Sequence, residues 1–161
     1  MEKVYIGYVQ GVHGLRGDLK VKNRFDKPER VFTPGIKIYL NDEIHEISAC
    51  KFYKGFYLCT IDNLKDINLV EKYIGYDVFI DREALNLKER EYILDDLYGL
   101  EIESNGKTCG KVKDILDNKI YNILVIEYEK EYMIPLIDEY VVNVDLKNKK
   151  IICKDIERLM I

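Results

Sequence analysis

An imidazole, a guanidinium and a carboxylate lie close together near the start of the chain, at His13, Arg16 and Asp18. Histidine moves protons near neutral pH. The planar fork of arginine grips a phosphate or carboxylate bidentately. An aspartate can orient a base. Such a set could serve a hydrolase or phosphotransfer enzyme acting on a phosphate or an ester. General acid–base work also needs a partner held within hydrogen-bond reach in a cleft that excludes water, and this spacing specifies neither. The three residues sit among glycines at every third position, Gly11, Gly14 and Gly17, which specify a defined loop where the backbone turns or is closely approached. The pattern is not the dinucleotide G-x-G-x-x-G, and no Gly-Lys-Ser/Thr follows to make a phosphate loop. Leu19-Lys20-Val21-Lys22 alternates like a strand, whereas both phosphate motifs open a helix. No nucleophile elbow or Ser/His/Asp set stands out, so no catalytic residue and no cofactor are expected.

The metal reading is equally poor. Cys50, Cys59, Cys109 and Cys153 are scattered without a C-x-x-C, and only His13 and His45 could assist them. Buried, reduced thiols of a cytoplasmic protein are the expectation. Asp95-Asp96 reads as a turn cap or surface charge rather than a catalytic dyad. With 47% hydrophobic and 34% charged residues, the composition is that of a soluble globular protein. No apolar run is long enough to span a bilayer, and Met1-Glu2-Lys3 leads straight into a strand pattern with no signal peptide.

Charge divides unevenly. Residues 11–30 hold six Lys/Arg against three Asp/Glu, while residues 91–161 hold ten against fifteen, within a chain of net charge −4. A basic patch beside the glycine loop suits phosphate; an acidic second half repels nucleic acid and suits a basic protein partner. Thirteen tyrosines and no tryptophan supply amphipathic anchors of the kind enriched at interfaces and used to stack unpaired bases. Tyr92, Tyr98, Tyr121 and Tyr140 fall near strand ends in the acidic half.

The elements that must position these residues are short strands. Lys3 to Val9 alternates; Ile36 to Leu40 precedes a two-residue turn at Asn41-Asp42, then Ile44 and Ile47; Phe56 to Ile61 and Asp77 to Ile80 follow. One helix interrupts, capped by Asp66, with Ile67, Val70 and Ile74 on one face and Gly75 at its end. In the second half, Asn105-Gly106 joins strands at Leu100–Ile102 and Thr108–Ile115. Ile120–Tyr128, Glu131–Ile134, Val141–Asp145 and Ile151–Cys153 complete the set, and Asp155 is placed to cap a short terminal helix. Regular short strands argue for all-β barrels. The charged stretch 83–91 reads as a connector between modules 1–82 and 92–161.

Gly11-Val12-His13-Gly14-Leu15-Arg16-Gly17-Asp18 after a leading strand, with Glu91-Tyr92-Ile93-Leu94-Asp95-Asp96-Leu97-Tyr98-Gly99, Ile134-Pro135-Leu136 and Val144-Asp145-Leu146 in order, resembles the ribosome maturation factor RimM family over essentially the whole chain. That resemblance implies an all-β fold of two small barrels, a translation-factor-like N-terminal one and a C-terminal PRC-barrel, with short helical segments. It implies a non-enzymatic assembly factor, cytoplasmic and monomeric, without membrane contact. Such a factor binds the immature small ribosomal subunit at its head and assists ribosomal RNA processing. The implied ribosome or RNA contacts are His13, Gly14, Arg16, Gly17, Lys20 and Lys22. Tyr92, Ile93, Leu97 and Tyr98 are the implied contacts to a head protein, the nineteenth of the small subunit. The family's paired tyrosines at the second-module entry become Tyr92-Ile93 here.

Overall fold

The computed structural model describes residues 2–161; Met1, the expected start of the first module, lies outside the described residues. Two compact units divide the chain, one ending at Lys88 and the other spanning Glu89–Ile161. Strands are the main regular element of both.

The first unit is a closed six-stranded barrel of β1 (Lys3–His13), β2 (Asp18–Asn23), β3 (Lys37–Leu40), β4 (Glu43–Tyr53), β5 (Phe56–Ile61) and β6 (Asp77–Asp81), in the order β1-β2-β5-β4-β3-β6. Closure depends on two long strands that each serve two neighbours. β1 pairs with β6 through its first half and with β2 through its second, with register shifts at Tyr5/Gly7 and Val9/Gly11. β4 pairs first with β3 and then with β5, shifting at Ile47/Ala49. An extra residue in one strand bends it and increases its twist, which lets a sheet curl onto itself. Inward positions carry Ile6, Val9, Leu19, Val21, Ile38, Leu40, Ile47, Ile61, Val78 and Ile80, all buried.

The helix is shorter than its sequence pattern predicts. Asp66 caps it as expected, its carboxylate accepting from Asn68 N–H at 2.9 Å, but α1 covers only Ile67–Val70 and a 3₁₀ turn, Glu71–Tyr73, follows. A 3₁₀ turn has three residues per turn instead of 3.6, so the buried position after Val70 moves from Ile74 to Tyr73. Tyr73 is buried and Ile74 exposed.

The second unit is a six-stranded sheet of β7 (Glu101–Ser104), β8 (Lys107–Asp117), β9 (Asn122–Glu127), β10 (Tyr132–Pro135), β11 (Val141–Asp145) and β12 (Lys150–Cys153), ordered β10-β9-β8-β7-β12-β11. β12 runs parallel to β7; the other pairs are antiparallel. Asn105 and Gly106 both have positive φ, the geometry a two-residue hairpin requires. The core gathers Leu97, Ile102, Leu124, Ile126, Ile134 and Ile151, with Tyr132 donating its buried hydroxyl to the Cys109 carbonyl at 2.6 Å. The terminal turn, Glu157–Met160, is 3₁₀ and follows Ile156 without a side-chain cap. Asp155 instead takes a positive φ, a conformation outside the extended range of a capping residue.

Candidate nucleic-acid interface

The glycine loop is the β1–β2 hairpin. His13 and Asp18 are register partners at its base, and Gly17 N–H donates to the Gly14 carbonyl at 3.1 Å across the tip. Leu15 and Arg16 are exposed. The loop is braced from behind, where Ile67 N–H at the start of α1 donates to the Leu15 carbonyl at 3.2 Å. Gly17 has φ +71°, a region that L side chains rarely occupy.

His13 and Asp18 each have a further neighbour on the barrel. The Asp18 carboxylate accepts from Thr60 Oγ1 at 2.9 Å. The exposed His13 ring lies 5.5 Å from that of Tyr53, centroid to centroid. Arg16 stands at the tip between them in sequence. The hairpin thus offers an imidazole and a guanidinium to solvent, and behind them the two lysines of β2. Lys20 and Lys22 alternate with the buried Leu19 and Val21, so they leave the barrel on its outer face.

Sequence reasoning missed what those lysines meet. β4 runs on to Tyr53, and Lys54-Gly55, both at positive φ, turns the chain into β5. Tyr53 and Phe56 thereby become register partners. Lys20 Nζ sits 4.3 Å and Lys22 Nζ 5.3 Å from the Phe56 ring centroid. The usable signal was a Lys-Gly dipeptide between aromatic residues, weaker than the Asn-Gly that marked the other module.

A second unanticipated cluster surrounds His45, which is buried. Its Nδ1 lies 2.5 Å from Asp62 Oδ2 and its Nε2 3.2 Å from Glu43 Oε2. Tyr73 donates its hydroxyl to the same Glu43 oxygen at 3.2 Å. Burial raises the Asp62 pKa, but the Glu46 N–H and His45 outweigh it and hold the carboxyl below its ordinary range. Glu43 is likewise lowered, first by His45 and then by Tyr73. In Tyr73, burial and the Glu43 bond push the phenol up to about 12. The cluster ties β4 to the loop after β5 and to the 3₁₀ turn.

In the second unit the four expected protein-contact residues separate. Ile93 is 1% and Leu97 0% exposed. They are core residues, which corrects their expected role as direct contacts: the entry segment folds inward, with Ile93 N–H donating to the Asp96 carboxylate at 3.0 Å. Asp96 is thus a turn cap. Tyr92 is half-buried against the core, and Tyr98 is 47% exposed. Burial and then the nearby Asp114 and Asp95 raise the Tyr98 phenol pKa, so this accessible ring stands in an acidic setting.

Comparison with known proteins agrees with this two-part organisation. A family model for the RimM N-terminal domain matches residues 4–85, and one for the RimM PRC barrel domain matches residues 94–159. A curated ribosome maturation factor RimM of Staphylococcus haemolyticus is 30% identical over 98% of this chain and 99% of its own. One of Staphylococcus aureus is 31% identical over the same shares. Among solved structures, a RimM protein from Pseudomonas aeruginosa aligns over 95% of this chain and 97% of its own at 20% identity and TM-score 0.42. The N-terminal domain of RimM from Thermus thermophilus aligns over 53% of this chain and 95% of its own at 17% identity and TM-score 0.46. On the family models and the curated relatives, the chain belongs to the ribosome maturation factor RimM family.

Proposed function

We propose that this protein is a non-enzymatic ribosome maturation factor that binds the immature small ribosomal subunit and assists processing of its RNA. The observation that carries this reading is membership of the family over 98% of the chain, in both modules. The second unit would engage a basic ribosomal protein of the subunit head, the nineteenth. Its net negative charge and the exposed Tyr98 between acidic side chains suit such a partner. The first unit would face RNA through His13, Arg16, Lys20 and Lys22, with Gly14 and Gly17 shaping the loop. Two contacts across one folding junction raise the effective concentration of each and favour the mature arrangement. The competing reading, a hydrolase or phosphotransfer enzyme using His13, Arg16 and Asp18, fits the geometry poorly, because Asp18 turns to Thr60 and His13 to Tyr53. Work in the cytoplasm as a monomer, without a cofactor, completes the proposal.

A tagged full chain recovered from a lysate of growing cells tests it. Precursor small-subunit RNA and the head protein should be enriched together. Recovery of neither would overturn the reading.

A further inference from the structure

Two aromatic rings on the first barrel are surrounded by cations. Tyr53 and Phe56 oppose each other across the Lys54-Gly55 turn. Lys20 and Lys22 stand over Phe56 at 4.3 and 5.3 Å, and Lys54 and Lys51 approach Tyr53 at 5.2 and 5.9 Å. The four lysines come from β2 and β4, which flank β5 on either side, and from the turn that leads into β5, so the cluster spans three adjacent strands. Among the described residues none of the four forms an ion pair. Asp18, at the edge of the same face, is already bonded to Thr60. Tyr53 is 41% exposed, and the His13 ring adjoins it.

We propose that this face binds unpaired RNA, with bases stacking on Tyr53 and Phe56 and the four lysines meeting the flanking phosphates. The inference rests on the reading above that the first unit faces ribosomal RNA, and adds which nucleotides it takes and by what contact. Charge selects the occupant. A chain of net charge −4 gathers four lysines without ion pairs around two rings, the complement of a polyanion with flat π faces. Lysine is depleted from the centres of protein interfaces, where desolvating an ammonium is costly. A duplex hides its base faces and would leave the rings unused. Cation–π contacts hold the lysines near the rings until phosphate arrives.

The test is fluorescence anisotropy of the full chain with a short unstructured single-stranded RNA and with the duplex of the same sequence, at low and moderate salt. The single strand should bind more tightly than the duplex. Tyr53→Ala with Phe56→Ala should weaken binding about tenfold or more with the salt slope unchanged, and Tyr53→Phe with Phe56→Tyr should restore it. Lys51→Gln with Lys54→Gln should lower the slope of log affinity against log salt by about 1.4, at ~0.7 per phosphate contact. Both lysines are exposed, so this pair informs even if the alanine pair fails to fold. Equal binding of duplex and single strand, or an unchanged slope in the lysine pair, would overturn the proposal. If the chain associates with immature subunits but binds no single-stranded RNA, the stacking face is refuted while the ribosome reading stands. Single-strand binding that follows the predicted pattern, without subunit association, supports the face and refutes that reading.

Discussion

Gly17 lies directly against the first turn of α1: a Cβ added there would come 2.6 Å from Val70 Cγ2 and 2.8 Å from Ile67 Cα. The surface hairpin is therefore seated on the helix. Its glycine spacing divides into two requirements, because Gly14 shares the positive φ but has nothing within 4 Å.

Gly17→Ala should destabilise the first unit by about 2–4 kcal/mol, combining left-handed backbone strain with overpacking. Gly14→Ala should cost about 1 kcal/mol, from the backbone alone. Urea denaturation of the full chain, followed through the transition of the first unit, measures both. Equal losses would remove the contact with Val70 from the account.

The His45 cluster sets an acid limit. Glu43 and Asp62 both have depressed pKa values in the folded chain. Their contribution is therefore complete above the ordinary carboxylate values, 4.5 and 3.8, and is lost as pH falls through the lower folded values. Stability should fall below about pH 4, and less steeply in Asp62→Asn. At neutral pH that substitution should cost about 1 kcal/mol, at the low end for a charged hydrogen bond because Asp62 is more than a third exposed. Thermal melts across pH 2.5–7 (a range chosen to bracket roughly the carboxylate titration) check the sign. A parallel acid slope in parent and variant would contradict it.

Cys50 and Cys59 are register partners with sulfurs 3.1 Å apart. The bond from Cys59 lowers the Cys50 pKa, and the same bond together with burial raises that of Cys59. Burial also pushes the Cys153 thiol up to about 12. Reactivity follows the thiolate and its access, so iodoacetamide should modify Cys50 first and the three buried thiols only on unfolding. Peptide mapping after brief alkylation gives the order. Early labelling of Cys109 or Cys153 would contradict it.

The connector proposal concerns residues 83–91. Leu85 is buried within the first unit and Ile93 within the second, while Lys88, Glu89 and Arg90 are exposed. Limited trypsin digestion should cut at Lys88 or Arg90 and leave two stable fragments. Cleavage scattered through both units would refute separable modules.

The sequence disclosed those parts of the fold whose rules are local. Asn105-Gly106 and Asn41-Asp42 each mark a turn because both residues of the pair accept positive φ. Asp66 marks a cap because its carboxylate reaches an orphan N–H. The helix face failed at Ile74, because a switch to 3₁₀ winding leaves no mark in hydrophobic period. Ile93 and Leu97 read equally well as contact or core, and burial depends on residues far along the chain. The pairing of Lys20 with Phe56 and of His45 with Asp62 depends on strand order and register, which periodicity does not encode.

Sedimentation of the purified chain with small ribosomal subunits tests the central claim most directly. Immature subunits, carrying unprocessed RNA, should carry the chain with them through a gradient, and mature subunits should leave it at the top. An Arg16→Ala variant, folded because the side chain is exposed, should associate more weakly at low salt, by about 1–2 kcal/mol for one charged contact, with a smaller difference as salt rises. Equal sedimentation with mature and immature subunits, or with neither, would contradict the account.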